Sequence, residues 1–360
     1  MSKIRRPIQF FTISVASLSA AVLLAACGSS GGGGNSGSEG NSSGGGGKSN
    51  IVLGLSNSSV TSSFRGIMIN SFKAEAENLQ KAGVIQRYVV ENAGDSTSTQ
   101  IQQMHNMVQS GVNVLVVDAE SATGLNAEIA RDVAQGVTVV TTDNLASSTK
   151  SINVEVNPGV IATETAKGLA NLIGGKGNVV MLEGIAGTPV NDERNSLAKA
   201  VFAKYPGIKV TEVNVDWNPA TAKQKMAQII SQNPNIAGVW DQGDSAGGAA
   251  NAFIAAGKPL PPIVFDGTSD FLNIWHQHIS QGYKTVGAPQ PPAVVVDALW
   301  LGIKVHQGSQ VTGNPVLLNT PLITNSNIDT IWQQGMTNQP GQFVNPVPVP
   351  QAALYKDYLK

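Results

Sequence analysis

The sequence predicts an α/β protein built on parallel sheets. From about residue 50, short apolar runs of Val, Ile and Leu alternate with longer amphipathic stretches. Continuous apolar runs bounded by turn residues are typical of strands that are covered by helices on both faces. About 310 residues follow the low-complexity N-terminal region, and this length is sufficient for two domains.

The predicted strands are short and rich in β-branched residues. They are Ile51–Ser56, Ile85–Glu91, Val114–Asp118, Thr138–Asp143, Ile152–Val156, Asn178–Glu183, Lys209–Val215, Ile236–Asp241, Ile263–Asp266 and Thr285–Gly287. Amphipathic helices are predicted between them at Phe64–Ala82, Thr99–Ser110, Thr123–Gln135, Val160–Ile173, Val190–Lys204, Ala220–Ser231, Ala246–Ala256 and Ala293–His306. A capping residue before a proline favours a helix start at Asn157-Pro158, Thr188-Pro189 and Asn218-Pro219.

Residues 1–26 are predicted to be a lipoprotein signal peptide. A basic segment with Lys3, Arg5 and Arg6 precedes an apolar run that is shorter than the ~20 residues a membrane span needs. Leu24-Ala25-Ala26-Cys27 has the pattern of a lipobox, whose cysteine is lipidated and becomes the new N-terminus. An incidental cysteine is disfavoured because Cys27 is the only one in the chain. Two acyl chains would anchor the protein in the cell membrane, facing the extracytoplasmic side.

Residues 27–49 are rich in Gly and Ser and are predicted to form a flexible tether. The whole chain has a formal net charge of −1, and removal of the basic leader would leave about −4. This charge balance does not indicate the basic surface that nucleic acid requires, so nucleic acid is not expected as a partner.

Acidic residues end or directly follow five of the predicted strands. They are Asp118, Asp143, Asp216, Asp241 and Asp266. Ligands of parallel sheets bind beyond the carboxyl ends of the strands, and carboxylates accept hydrogen bonds from hydroxyl groups. Aromatic residues that could pack against the C–H face of a sugar occur in the same loops, namely Phe64, Trp217, Trp240 and Phe265. Any single aspartate could instead cap a helix or form a turn. The set as a whole predicts a site for a polyhydroxy ligand.

Two segments resemble the type I periplasmic sugar-binding proteins, most closely their ribose-binding branch. They are Gly184-Ile185-Ala186-Gly187-Thr188, with Arg194 on the next helix, and Val264-Phe265-Asp266-Gly267-Thr268. The strands that lead to Asp118 and Asp143 add to the resemblance, which extends from Asn50 to about Asn325. It implies two Rossmann-like lobes with parallel sheets, joined by three crossover segments, that close on a ligand in the cleft between them.

The resemblance also implies the domain boundaries and the partners. An N-terminal lobe of residues 50–156 plus 291–316 and a C-terminal lobe of residues 157–290 plus 317–360 are expected. The protein is expected to be a monomeric substrate-binding lipoprotein that delivers a monosaccharide or sugar alcohol to an ABC permease. Neither catalysis nor a cofactor or metal is implied.

The ligand-binding residues implied by the resemblance are Phe64, Arg65, Asp118, Asp143, Asn144, Arg194, Trp217, Asp244, Asp266 and Gln290. The chain departs from the family at several of these positions. Arg65 stands where the family has phenylalanine, Asp118 where it has asparagine, and Asn144 where it has arginine. Trp217 replaces a stacking phenylalanine, and Asp244 is adjacent to an asparagine position that is Gly243 here. These changes favour a polyhydroxy ligand other than ribose itself.

Other functions remain open at this level. A receptor of this fold could present a sugar-like signal to a membrane kinase, or could bind a nucleoside or an amino acid. The segment Gly243-Asp244-Ser245-Ala246-Gly247 also fits the G-x-S-x-G motif of serine hydrolases, with Asp266 or Asp270 and His306 as partners. Against hydrolysis, His306 lies in a predicted helix and no oxyanion segment is evident. The histidines are too dispersed to predict a metal site. A repressor of the same fold is excluded by the lipobox.

Overall fold

A computed structural model describes residues 49–233, 235–265, 267–333 and 348–360. They form two lobes, each built around a parallel sheet, so the predicted α/β fold class is confirmed. The predicted signal peptide, the lipobox, all but the last residue of the tether and Asp266 lie outside the described residues. None of the described helices is both long and apolar enough to cross a membrane.

The first lobe contains a parallel sheet with strand order β2-β1-β3-β4-β5-β9. Its strands are β1 (Val52–Asn57), β2 (Arg87–Asn92), β3 (Val114–Val117), β4 (Thr138–Thr142), β5 (Ile152–Val156) and β9 (Val316–Leu318). The helices packed on it are α1 (Ser63–Lys81), α2 (Thr97–Gln109), α3 (Asn126–Ala134), α9 (Val294–His306) and α11 (Gln351–Tyr358). Every residue of β1 and β3 is buried, as expected for strands covered on both faces.

The second lobe contains the parallel strands β6 (Lys176–Glu183), β7 (Gly207–Asn214) and β8 (Ile236–Asp241), in the order β7-β6-β8. Its helices are a π-helix (Gly159–Glu164), α4 (Thr165–Leu172), α5 (Pro189–Phe202), α6 (Pro219–Gln232), α7 (Ala246–Ala255), α8 (Ser269–His278), a 3₁₀ turn (Ile279–Gln281) and α10 (Ile328–Gln333). Isolated bridges extend this sheet from Val239 to Ile263, from Phe265 to Gly287, and from Gly287 to Ile323.

The predicted helix starts are confirmed at two of the three capping pairs. The Asn218 side chain accepts hydrogen bonds from the N–H groups of Ala220 and Thr221, and Pro219 occupies the first helical position of α6. Helix α5 also begins at a proline, Pro189, although the side chain of the preceding Thr188 makes no capping hydrogen bond. The third pair, Asn157-Pro158, precedes the π-helix rather than an α-helix. The loop before each of these helices lies at the carboxyl end of a strand.

Hydrophobic side chains fill each lobe separately. In the first lobe, Leu53, Val114 and Phe72 are fully buried between the sheet and helices α1 and α9. In the second lobe, the ring of Phe265 lies 5.2 Å from that of Phe271 and 5.7 Å from that of Trp275. The first pair is tilted and the second is edge-to-face, and edge-to-face packing is a favourable geometry for aromatic rings. Each lobe therefore has apolar side chains packed on both faces of its sheet.

The structure differs from the sequence prediction in the C-terminal region. The sequence predicts that residues 317–360 belong to the second lobe, but Val316–Leu318 pair with β5 in the first sheet. Helix α11 also packs on the first lobe, where Leu354 is fully buried in the core. A three-residue strand and an eight-residue helix carry too little periodicity to be assigned from sequence. The predicted strands Ile263–Asp266 and Thr285–Gly287 contribute only the isolated bridges.

Candidate ligand-binding cleft

A cavity of about 650 Å³ lies between the two lobes. Loops that follow β1, β2, β3 and β4 line one side, and loops that follow β6, β7 and β8 line the other. Most of the predicted site residues line it, namely Phe64, Arg65, Asp143, Asn144, Arg194, Trp217, Asp244 and Gln290. Asp118 is not among the lining residues, and Asp266 lies outside the described part of the chain.

Arg65 is the centre of a buried charged cluster on the first lobe. Its guanidinium contacts Asp143 at 2.5 Å and Asp118 at 3.1 Å, and it lies 5.4 Å from the centre of the Phe64 ring. Burial alone would lower the pKa of Arg65, but Asp118, Asp143 and Asp244 together raise it above its ordinary value. Arg65 therefore stays charged and presents a fixed hydrogen-bond donor to the cavity.

Asp118 lies behind this cluster and is completely buried. Its carboxylate accepts hydrogen bonds from the N–H and hydroxyl groups of Ser58, at 3.2 and 2.5 Å, and from the N–H of Asn144 at 3.4 Å. Together with the ion pair to Arg65, these contacts hold three cavity-lining residues in place. Asp118 thus organises the first-lobe wall without facing the cavity itself.

Gln290 connects the two lobes at the crossover before α9. Its side-chain N–H donates to Asp143 of the first lobe, and its side-chain oxygen accepts a hydrogen bond from Arg194 of the second lobe. Arg194 also donates to the backbone carbonyl of Gln242 at 3.0 Å. All of these side chains are buried. A continuous hydrogen-bonded path therefore crosses the back of the cleft.

Trp217 forms the opposite wall together with Pro189 and Pro219. It lies in a tight turn in which the N–H of Asn218 donates to the carbonyl of Val215 at 2.9 Å. Both central residues of this turn, Asp216 and Trp217, have left-handed backbone angles, with φ of 53° and 52°. This conformation costs a side-chain-bearing residue about 1–2 kcal/mol, and such strain is often found at functional sites.

The charge of the cleft is predominantly negative. The acidic residues that line it are Asp95, Glu120, Asp143, Asp216, Asp244 and Asp270, whereas the basic residues among the described lining are Arg65 and Arg194. Burial raises the pKa of Glu120. Behind the cleft, burial raises the pKa of Glu155 to about 8, with Glu193 adding to the rise and Arg194 opposing it. The cleft therefore favours a neutral ligand with hydroxyl donors and disfavours an anion.

Sequence reasoning missed the contribution of the first-lobe loops to the rim of the cavity. Ser58, Ser59 and Thr61 follow β1, Asp95 follows β2 and Glu120 follows β3. The same strand-end position that indicated Asp143 could have indicated Asp95 and Glu120. The strand-end position alone could not have excluded Asp241 from the predicted binding site. The Asp241 carboxylate instead accepts hydrogen bonds from the N–H groups of Ser245 and Ala246, at 3.0 and 2.8 Å, at the start of α7.

The serine of the hydrolase motif is not arranged for catalysis in the described structure. Ser245 is fully buried at the start of α7. His306 lies on the first lobe, where its ring nitrogen contacts the Thr138 hydroxyl at 3.2 Å. Ser245 and His306 therefore belong to different lobes and do not form the serine–histidine pair that the mechanism requires.

The same fold occurs in known proteins. Residues 53–310 match the family described as periplasmic binding protein domain. The chain belongs to this family. Periplasmic binding proteins of this kind bind solutes for transport and are not a family of enzymes, and they act outside the cytoplasm.

Individual relatives agree with this assignment. The chain is 31% identical to the xylitol-binding protein of Mycolicibacterium smegmatis over 69% of its own length and 71% of the relative's. It is 26% identical to the ribose import binding protein of Bacillus subtilis, over 62% and 72% of the two lengths. The crystal structure of an ABC transporter solute binding protein from Thermobispora bispora matches with a TM-score of 0.73 at 26% identity, over 85% of this chain and 94% of that one.

Proposed function

We propose that the protein is the substrate-binding lipoprotein of an ABC importer and that it captures a monosaccharide or sugar alcohol in its cleft. The observation that supports this proposal is that the cleft has one polar wall and one apolar wall, which face each other. Arg65, Asp143 and Asn144 present donors and acceptors from the first lobe, and the Trp217 indole presents an apolar surface from the second. A polyhydroxy ligand has both kinds of surface, because its hydroxyl groups project outward from a chain or ring of C–H groups.

The arrangement of charges supports a neutral polyol over the other ligand classes. An amino acid needs a cation for its carboxylate, but Arg65 is already paired with Asp118 and Asp143. Arg194 is engaged with Gln290 and with the carbonyl of Gln242. The names of the two relatives, xylitol-binding and ribose import binding, supply the first ligands to test.

A panel of ligands tests this proposal directly. The mature chain from residue 27, carrying Cys27→Ser to prevent acylation, is screened by thermal shift against pentitols, tetritols, pentoses, hexoses and amino acids. A ligand present at 100 times its dissociation constant should stabilise the folded state by about 2.7 kcal/mol. We expect a neutral polyol to give the largest shift, and titration calorimetry then measures its affinity. Stabilisation by amino acids alone would contradict the proposal.

We further propose that Cys27 carries the lipid anchor, supported by the lipobox pattern at residues 24–27. In the native host or a heterologous bacterium, Cys27→Ala should abolish acylation, so that the chain is left unprocessed or is released from the membrane. Fractionation and the electrophoretic mobility of the chain measure this. Ser29→Ala serves as the matched control and should leave the anchor intact. A Cys27→Ala chain of mature length in the membrane fraction would show that another feature holds the protein there.

A further inference from the structure

The indole of Trp217 lies directly on two glycines of the second lobe. A Cβ atom added to Gly184 would overlap Cε2, Cζ2 and Nε1 of the indole. One added to Gly243 would overlap Cδ1 and would lie 2.7 Å from Nε1. Neither glycine has a positive φ angle, so their backbones would accept a side chain. Glycine is therefore required at these two positions because the indole occupies the space of a side chain, and not because of the backbone conformation.

The two glycines are held by a common buried network. Gly184 follows β6 and donates its N–H to the side-chain oxygen of Asn191 at 2.8 Å. Gln242, which directly precedes Gly243, donates to the same oxygen of Asn191 at 2.8 Å and to Asn195 at 2.7 Å. These three amide side chains are buried. Because one network fixes both loops, the surface under the indole is rigid.

The turn that carries Trp217 adds an independent constraint. Its left-handed backbone at Asp216 and Trp217 directs the indole across the ends of β6 and β8, where the two glycines lie. The indole N–H is buried there and has no hydrogen-bond partner among the described residues. A strained turn and a buried, unpaired N–H are both unfavourable by themselves. They persist where the surrounding structure imposes a position for the side chain.

We propose that Gly184 and Gly243 are positioning residues that set the depth of the Trp217 indole, and thereby the thickness of the ligand that the cleft accepts. This inference rests on the proposed binding of a polyol. With the indole lowered onto the two glycines, space remains between it and the polar wall formed by Arg65 and Asp143. A methyl group at either glycine would raise the indole toward that wall and narrow the slot.

A double-mutant cycle tests the proposal. Gly184→Ala and Gly243→Ala are each made in the Cys27→Ser mature chain and in the same chain carrying Trp217→Leu. Overpacking of this kind should weaken binding of xylitol by about fivefold or more in the Trp217 background, since its usual cost corresponds to at least that factor. In the Trp217→Leu background the smaller side chain avoids the overlap, so the alanine substitutions should have little further effect.

A second measurement requires no ligand. Acrylamide quenches the fluorescence of exposed tryptophans. The contribution of Trp217 is obtained by subtracting the signal of the matching Trp217→Phe chain, and its quenching reports how exposed the indole is. We expect Gly184→Ala and Gly243→Ala to increase quenching of Trp217. Gly66→Ala is the control, because a Cβ at Gly66 would meet no atom within 4 Å. It should change neither quenching nor binding.

The two measurements separate this inference from the proposed function. If wild-type protein does not bind xylitol, the strongest ligand of the panel replaces it, and the quenching results stand regardless. Unchanged quenching of Trp217 in both folded alanine variants would overturn the inference. The inference would also be overturned if the alanine substitutions lowered the affinity or the unfolding temperature as much in the Trp217→Leu chain as in the chain that keeps Trp217. A variant that folds only together with Trp217→Leu would support it, because the overlap would then be the cause of misfolding.

Discussion

Replacement of Asp143 by alanine is expected to weaken ligand binding by about tenfold or more. Its carboxylate accepts hydrogen bonds from Arg65 and from Gln290, so it joins the first lobe to the crossover at the back of the cleft. A hydrogen bond to a charged group contributes on the order of 1.5–3 kcal/mol, and about 1.4 kcal/mol corresponds to a factor of ten. The alanine variant would lose the acceptor for the ligand and the alignment of Arg65 together.

Two control substitutions sharpen the interpretation of this experiment. Asp143→Asn keeps one carbonyl oxygen as an acceptor and should be milder than alanine. Asp95→Asn removes a charge from the exposed rim of the same cavity, and it should change affinity little because salt and water screen exposed charges. Titration calorimetry with the best ligand of the panel measures all three. Wild-type affinity in a folded Asp143→Ala protein would place the ligand elsewhere in the cleft.

The other large effect is expected in stability as a function of pH, at Asp297. This residue lies in the first turn of α9 and is fully buried, and no donor among the described residues forms a well-aligned hydrogen bond with either carboxylate oxygen. Burial raises the pKa of Asp297 to about 8, and nearby backbone N–H groups offset this only in part. In the unfolded chain the pKa of an aspartate is about 3.9.

The direction of the pH effect follows from these two pKa values. Between about pH 4 and pH 8 the folded state keeps a proton that the unfolded state releases. The free energy of unfolding therefore falls as pH rises through this window and levels off above it. Asp297→Asn removes the titration. The stability of the variant relative to wild type should thus increase by several kcal/mol from pH 4 to pH 8.5, at about 1.4 kcal/mol per unit of pKa difference.

Urea unfolding of the Asp297→Asn and wild-type proteins at pH 4, 5, 6, 7 and 8.5 measures this difference. The cost of burying the asparagine amide does not depend on pH. It shifts the free energy of unfolding of the variant equally at every pH and does not change how its difference from wild type varies with pH. Asp357→Asn, on the exposed side of α11, controls for the removal of one negative charge. A difference between the Asp297→Asn variant and wild type that does not change with pH would show that Asp297 is ionised in the folded protein.

The strand-end aspartates illustrate how far the sequence could predict the site. All of them are expected at equivalent positions, but the structure gives three of them different roles. Asp143 lines the cavity, Asp118 is buried behind Arg65, and Asp241 accepts hydrogen bonds from the first backbone N–H groups of α7. Each of these roles is compatible with an aspartate after a parallel strand. Only the neighbouring side chains, which are distant in sequence, distinguish them.

The sequence shows that Arg65 and Asp118 both depart from the family pattern, but it does not show that the two residues contact each other. Arg65 and Asp118 are separated by three elements of secondary structure, β2, α2 and β3, and no local pattern connects them. In the folded protein they form an ion pair at 3.1 Å, so the arginine is accompanied by a carboxylate that compensates its charge. A buried charge requires such a partner, which explains why the two unusual residues occur together.

By itself, the sequence determined the α/β class, strands β1–β8, helices α1–α7 and α9, and the edge of each sheet at which the cleft forms. These features depend on hydrophobic periodicity and on helix capping, which act over a few neighbouring residues. The tertiary structure alone decided the lobe to which β9 and α11 belong, the burial of Asp118 and the resting place of the Trp217 indole on Gly184 and Gly243. These features depend on contacts between segments far apart in the chain, and such contacts leave no local pattern in the sequence.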